Sequence, residues 1–235
     1  MKTVSAASIL ILTFMRPALA SDLPQLVAVK TRGAPVMDGK LNDACWENAA
    51  KTGAFHLTGG AAKANVQTTV MLTYDDESLF VGFRCDEPAL QLLKKGITQH
   101  DAPVQKDDSV ELFIQPAADG DYFHMMVSCQ GVTAEQRCVP GGLRDRAWDP
   151  QLNVKTGRGQ GWWSIELAVP WREMGIQPCL GANLRANFCR NRHAGGKTVY
   201  SSWSQLVAFH DNSKFGLVSG FVLDPPGRRL AKIRV

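Results

Sequence analysis

The sequence predicts an all-β fold, an antiparallel β-sandwich with one or two short helical turns. Two observations carry this. Short runs alternate apolar and polar residues with period two, as in Val110, Leu112 and Ile114 set against Ser109, Glu111, Phe113 and Gln115. Turn residues such as Asp119-Gly120, Gln130-Gly131 and Pro140-Gly141-Gly142 separate those runs at short intervals, and almost nothing keeps a helical period.

Residues 1–20 stand apart. Lys2 supplies a positive start, Ser8 to Phe14 an apolar run, and Ala18-Leu19-Ala20 a small-residue cleavage site ahead of Ser21. That run is too short to span a bilayer, which needs about 20 apolar residues. We therefore expect a signal peptide cut after Ala20 and a secreted or periplasmic chain. Residues 21–235 are expected to form one domain, a common size for a single all-β unit.

Taken in order, Val36-Met37-Asp38-Gly39 is an edge segment running into a turn, and Asn42 or Asp43 can cap one helical turn that turns Cys45 and Trp46 inward. Val66 to Thr73 and Leu79 to Cys85 make a hairpin around Asp75-Asp76-Glu77-Ser78, with Val66, Val70 and Leu72 on one side of the first strand and Leu79, Val81, Phe83 and Cys85 facing in from the second. Residues 86–108 form a long connection with a turn of helix near Leu90 to Leu93. Long connections inside compact domains are usually functional or mobile. Tyr122 to Cys129 and Val132 to Val139 continue the meander, and a short strand near Leu152 to Lys155 follows. In Trp162 to Val169 every odd position is apolar; Pro170 ends the run and can open the helical turn Trp171 to Met174, which Gly175 closes. Leu184 to Arg192, Ser201 to Trp203 and Phe215 to Leu223 complete nine or ten strands.

The segment Lys106 to Pro116 is the most informative. Val110, Leu112 and Ile114 belong to the core, which leaves Glu111 in mid-strand on the other face beside Phe113. A carboxylate and a ring on a rigid strand can hold a sugar, the oxygens accepting from hydroxyls and the ring packing on C–H groups. The structural alternative is a glutamate on the wet face of an antiparallel sheet. Arg190, in mid-strand with Phe188 and Arg192, is suited to an acidic sugar or to an ion pair with Glu111 or Glu166. His210 and Asp211 lie in the loop before Phe215. Trp46, Trp162, Trp163, Trp171 and Trp203 are expected to be mostly core.

Composition excludes several classes. Without Lys2 and Arg16 the 26 basic residues become 24 against 22 acidic ones, mixed along the chain except for Arg228, Arg229, Lys232 and Arg234 near its end. Nothing in this balance points to nucleic acid. All six cysteines follow residue 20, an even count that favours disulfides in an exported protein, and Cys129 and Cys138 flank a hairpin that makes them the first candidates. No C-x-x-C, G-x-S-x-G or H-E-x-x-H occurs. Glu111 and Glu166 are the only mid-strand glutamates in the predicted core sheet for a two-carboxylate glycosidase, and nothing in the spacing places them opposite each other.

The order of motifs resembles the family 9 carbohydrate-binding modules and their DOMON-like relatives. It runs from Val36-Met37-Asp38-Gly39 through Ala44-Cys45-Trp46, Thr73-Tyr74-Asp75-Asp76, Asp108-Ser109-Val110-Glu111, Trp163 to Trp171 and Asn187-Phe188-Cys189-Arg190, to Ser202-Trp203 ahead of Phe215-Gly216. The resemblance implies a sandwich whose concave side holds the end of a polysaccharide or oligosaccharide chain, without catalysis, often as an accessory to glycoside hydrolases. It also implies two tryptophans clamping a terminal sugar and a glutamate bonding its hydroxyls. Glu111 matches that glutamate. The first tryptophan falls near Gln105 and the second at Phe209; an arginine corresponds to His124, an asparagine to Met126, and late-strand contacts fall near Cys189 and Arg192.

Two further expectations come with the resemblance. Some members bind calcium, for which Asp75, Asp76, Asp107, Asp108 and Asp149 are donors of the right kind. Some DOMON-like relatives carry a b-type haem for electron transfer, with His124, Met125, Met126, His193 or His210 as ligand candidates here. The site expected from the whole is a depression bounded by Glu111, Phe209, His210 and the 98–108 loop, since an unpaired buried carboxylate would be costly.

Overall fold

The computed structural model describes residues 23–222, apart from 118, 140–141 and 177–180. Fifteen strands follow in chain order. They begin with β1 (Gln25–Val27), β2 (Val29–Lys30), β3 (Ala50–Lys51), β4 (His56–Leu57), β5 (Thr68–Tyr74) and β6 (Ser78–Asp86). The meander is β7 (Ser109–Gln115), β8 (Tyr122–Ser128), β9 (Thr133–Val139) and β10 (Leu143–Asp145). Then come β11 (Asn153–Gly159), β12 (Trp162–Pro170), β13 (Leu184–Arg192), β14 (Val199–Ser202) and β15 (Gly216–Ser219). Helix is limited among the described residues to α1 (Ala44–Asn48) and four single 3₁₀ turns.

Two sheets face each other. One runs β1-β15-β13-β7-β8-β9-β10, with β14 and β4 attached beside β13; the other runs β11-β12-β6-β5-β2, with β3 on β5. Between them lie Val70, Leu72, Val81, Phe83, Val110, Leu112, Met125, Ile165, Leu167 and Phe188, each within 1 % of full burial. These are alternate residues of their strands, so the period-two pattern read from the sequence is the inward face of the sandwich. The sheets are mixed rather than purely antiparallel, because β1 pairs parallel with β15 and β2 parallel with β5. The lead segment that supplies β1 and β2 is too short to show a periodicity, and its pairing is set by the sheet edges it closes.

Trp46 does not enter this core. It packs with Ala49, Met71, Phe80 and Ala168 on the outer face of the smaller sheet. There Glu166 of β12 collects the segment before α1. Its Oε2 accepts the backbone N–H groups of Asp38 (2.8 Å) and Gly39 (2.7 Å), and its Oε1 accepts from Leu41 N–H (3.1 Å) and the Trp46 indole (3.0 Å). Gly39, at φ 84°, packs so closely on β11 that a Cβ would overlap the Thr156 carbonyl, so only glycine serves there. The Met37-to-Trp46 motif and the glutamate of β12 are thus one structural unit.

A second charged unit closes one end of the sandwich. Arg190 points between the sheets, fully buried, and its guanidinium donates to Glu87 (3.1 Å) and to the carbonyls of Gln67 and Asp86 while lying over the Trp163 ring. Arg192 binds the same carboxylate at 2.7 and 2.8 Å. Two guanidiniums on one carboxylate offset the large cost of burying it, and although burial works to raise the Glu87 pKa, they hold it below the usual range. The expected partner of Arg190, Glu111 or Glu166, is replaced by Glu87 because even-numbered residues of β13 face the core.

The expected Cys129–Cys138 disulfide is absent. The register pairs Cys138 with Tyr122, at the opposite end of β8 from Cys129, so the two sulfurs are separated by the length of the hairpin, roughly 20 Å at strand rise. Cys129 belongs to the inter-sheet core, whereas Cys138 shares its face with Gln136 and Ala134. All five described cysteines are free thiols; Cys179 and the expected signal peptide lie outside the described residues, as does the basic end of the chain.

Candidate carbohydrate-binding site

The outer face of the larger sheet is laid out by register in cross-strand rows. Cys189, Glu111, Met126 and Ala134 form one row across β13, β7, β8 and β9. Asn187, Phe113, His124 and Gln136 form the next. Cys138 of the following row has Arg144 of β10 as its neighbour. Phe113, Cys189 and Phe215 make a small apolar cluster beneath, with Tyr122 and Phe209 packed on it. His124 stacks on Phe113 with centroids 4.1 Å apart and planes 8° from parallel, and His210 meets both rings edge-on.

Glu111 lies in the middle of this face, and it is neither wet nor unpaired. It is 5 % exposed, with Oε2 accepting from His124 Nε2 (2.7 Å) and Oε1 from Asn191 Nδ2 (2.7 Å). Gln136 Nε2 donates to His124 Nδ1 (2.7 Å), which directs the imidazole proton at Nε2 toward Glu111. Burial works to raise the Glu111 pKa, but the imidazole and the amide outweigh it and hold the carboxyl below its ordinary value. Each oxygen of an ionised carboxylate can accept about two hydrogen bonds. Each here has received one from a neighbouring side chain, which leaves acceptor capacity for a ligand.

Above this floor is a cavity of about 630 Å³ whose lining includes Glu111, His124, Gln105, Phe209, His210 and Asn191. That volume lies in the range of small-molecule sites. One wall is the 98–108 loop, tied down along its length. Asp101 N–H donates to Thr133 O, and Asp101 adopts the left-handed conformation (φ 59°) that aspartate tolerates. His193 Nε2 donates to Gln105 O, and Asp107 and Asp108 accept from the backbone N–H groups of Ile97, Lys94 and His193. The other wall is the loop before Phe215, where Tyr200 meets Phe209 edge-on. His210 Nδ1 accepts from the Tyr122 hydroxyl (2.9 Å), and burial, with neighbouring His124 and the Arg144 guanidinium, pushes its pKa down to about 4.

Of the residues singled out from the sequence, Glu111, His124, Phe209 and His210 converge on this cavity, together with Gln105 and Met126. Arg190 does not; it belongs to the opposite face of β13. Asn191, Gln136, Tyr200, Arg144 and Arg146 were missed. Asn191 was within reach, since alternation from Cys189 puts it rather than Arg192 on the face of Glu111.

The calcium candidates are dispersed. Asp75 accepts the Glu77 and Ser78 N–H groups in the hairpin turn, Asp76 pairs with Lys30, and Asp107 and Asp108 hold the 98–108 loop. Only Asp149 joins a cluster, in which His100, Glu135 and Asp149 bring their ligating atoms within 4.8 Å of one another beside the cavity. Among the haem candidates, Met125 is in the core and both ring nitrogens of His124 are engaged.

The carbohydrate family 9 binding domain-like model matches residues 37–219. The chain belongs to that family. None of the curated proteins compared with it matches. Among solved structures, a Bacteroides uniformis protein named as a candidate carbohydrate-binding protein superposes with a TM-score of 0.70 at 14 % identity, over 84 % of this chain and 99 % of the other. A family 9 module of Caldicellulosiruptor kristjanssonii in complex with cellotriose superposes with a TM-score of 0.61 at 17 % identity, over 90 % and 100 %. Its glucose complex gives 0.61 and 17 %, over 85 % and 97 %. At these identities the likeness is one of fold. Among the described residues no helix is long and apolar enough to cross a membrane.

Proposed function

We propose that the protein is an exported, non-catalytic module that binds the end of a polysaccharide or oligosaccharide chain in the Glu111 cavity, in support of polysaccharide breakdown. The observation that carries this is Glu111 itself, oriented by His124 and Asn191 at the floor of an open cavity with acceptor capacity unspent. Phe209 supplies an apolar surface in the same cavity for sugar C–H groups. The family and the C. kristjanssonii complexes with cellotriose and glucose support the same reading. Catalysis by a carboxylate pair finds no support, because Glu166 is on the outer face of the other sheet with four N–H donors around it. The expected leader, residues 1–20, supports export.

A glycan array probed with residues 21–235, with and without calcium, tests the reading. Binding to a defined set of chain ends is the expected result. Absence of binding to every glycan in both conditions overturns it. A Soret band in the purified protein would instead favour the haem alternative.

A further inference from the structure

We propose that the sugar this cavity takes carries an anionic group, in the first instance the carboxylate of a uronic acid, held by Arg144 and Arg146 while Glu111 accepts from hydroxyls at the other end. This rests on the carbohydrate-binding reading above and narrows its ligand class. Both arginines line the cavity, and both are exposed. In sequence, Arg144-Asp145-Arg146 looks self-neutralising. In the fold it is not: Asp145 turns to Arg137, which reaches it at 3.2 Å, and also accepts the Ala147 N–H. Neither Arg144 nor Arg146 has a carboxylate within ion-pair distance among the described residues.

The register explains why Arg144 faces the cavity. It pairs with Cys138, whose neighbour on β8 is Tyr122, so its side chain leaves the sheet on the face of His124 and His210. Arg144 and His210 also line a second depression of about 430 Å³, so Arg144 stands where the two meet.

Three carboxylates line the same cavity and oppose an anion: Asp101, Glu111 and Glu135. Two of them are committed, Glu111 to His124 and Asn191, and Glu135 to His100 at 2.8 Å; Asp101 is 3.7 Å from the same imidazole. The cavity is therefore polarised, with carboxylates already engaged by side-chain donors in its floor and two guanidiniums without a carboxylate partner among the described residues at its edge. A neutral sugar can accept hydrogen bonds from that edge but leaves its charge unmatched. Guanidinium is the side chain suited to planar, bidentate recognition of a carboxylate.

The test is calorimetric titration of the full mature chain with three oligosaccharides of equal length: one ending in a uronic acid, its neutral hexose counterpart, and a sulfated counterpart. The uronic acid is expected to bind at least tenfold more tightly than the neutral sugar, with the ratio shrinking as salt is raised. In an Arg144→Ala/Arg146→Ala variant, whose exposed sites leave folding intact, the ratio should fall toward one. In Arg144→Glu/Arg146→Glu it should invert. Equal or tighter binding of the neutral sugar overturns the proposal and leaves the carbohydrate reading standing. So does a ratio that survives both variants, and tighter binding of the sulfated sugar overturns the choice of carboxylate. If no member of the panel or the array binds, the carbohydrate reading itself fails.

Discussion

Glu111 and Glu166 occupy the same kind of place, mid-strand on the outer faces of the two opposed sheets and buried to within a few per cent, yet the fold uses them in opposite ways. Glu166 takes three backbone N–H groups and an indole, all from a segment the carboxylate itself holds in place. Its acceptor capacity is filled by that segment, mostly by main chain. Glu111 takes one side-chain donor on each oxygen and faces an open cavity. Burial does not distinguish a carboxylate with acceptor capacity to spare from an architectural one; the identity of the donors and the unspent lone pairs do. A third case, Glu87, is filled by Arg190 and Arg192 and closes one end of the sandwich.

The contrast breaks most visibly under mutation. Glu166→Ala should cost about 3–5 kcal/mol, because several buried donors lose their acceptor at about 1–3 kcal/mol each. Chemical denaturation measures this, and the folded fraction should still bind glycan with the parent affinity. A loss below 1 kcal/mol would mean that the segment before α1 is held by its apolar contacts instead. Glu111→Ala should do the reverse. Glycan affinity should fall by about 1.5–3 kcal/mol, the range for hydrogen bonds to a charged group. Stability should change less than for Glu166→Ala, since water in the cavity can satisfy His124 and Asn191. Unchanged affinity would place the binding surface elsewhere.

Much of this was legible in the chain. Alternation in 109–115 and 162–169 identified both core faces, and the pattern around Glu111 gave the site strand. What stayed hidden was long-range. Cys129 and Cys138 look adjacent around a hairpin, but register puts them at its two ends. Charge alone points Arg190 to Glu111 or Glu166, whereas strand parity turns it into the core toward Glu87, in a connection whose path sequence does not reveal. Arg144 and Arg146 carry no periodic signal at all. Their place beside the cavity follows from β10, which extends that sheet by one strand beyond β9.

The smallest expected effect sharpens the comparison by separating the cavity wall from its floor. His210 is pushed down to about 4, first by burial and then by its neighbours His124 and Arg144. An unfolded histidine titrates near 6.5. Between about pH 6.5 and 4 the unfolded chain therefore binds a proton at this position that the folded chain does not, and stability falls as pH falls through that window. Below about 4 the contribution levels off. Glu111, held below its ordinary value, acts lower still; its contribution is present above the unfolded carboxylate value and is lost as pH falls through the depressed one. Glu135, raised by burial, acts in the opposite sense to His210 above the unfolded carboxylate value, and the raised His100 adds stability that is lost only as pH rises above about 6.5. Subtracting a variant isolates the wall. Because His210 is partly exposed, solvent screening cuts the effect to an expected 2–4 °C in Tm, roughly what 1 kcal/mol produces in a domain of this size. Thermal melts of the parent and of His210→Gln between pH 4 and 7 should diverge by that amount at pH 7 relative to pH 4. Parallel curves would show that His210 is solvated in the folded protein, and that the wall opposite the 98–108 loop stands open.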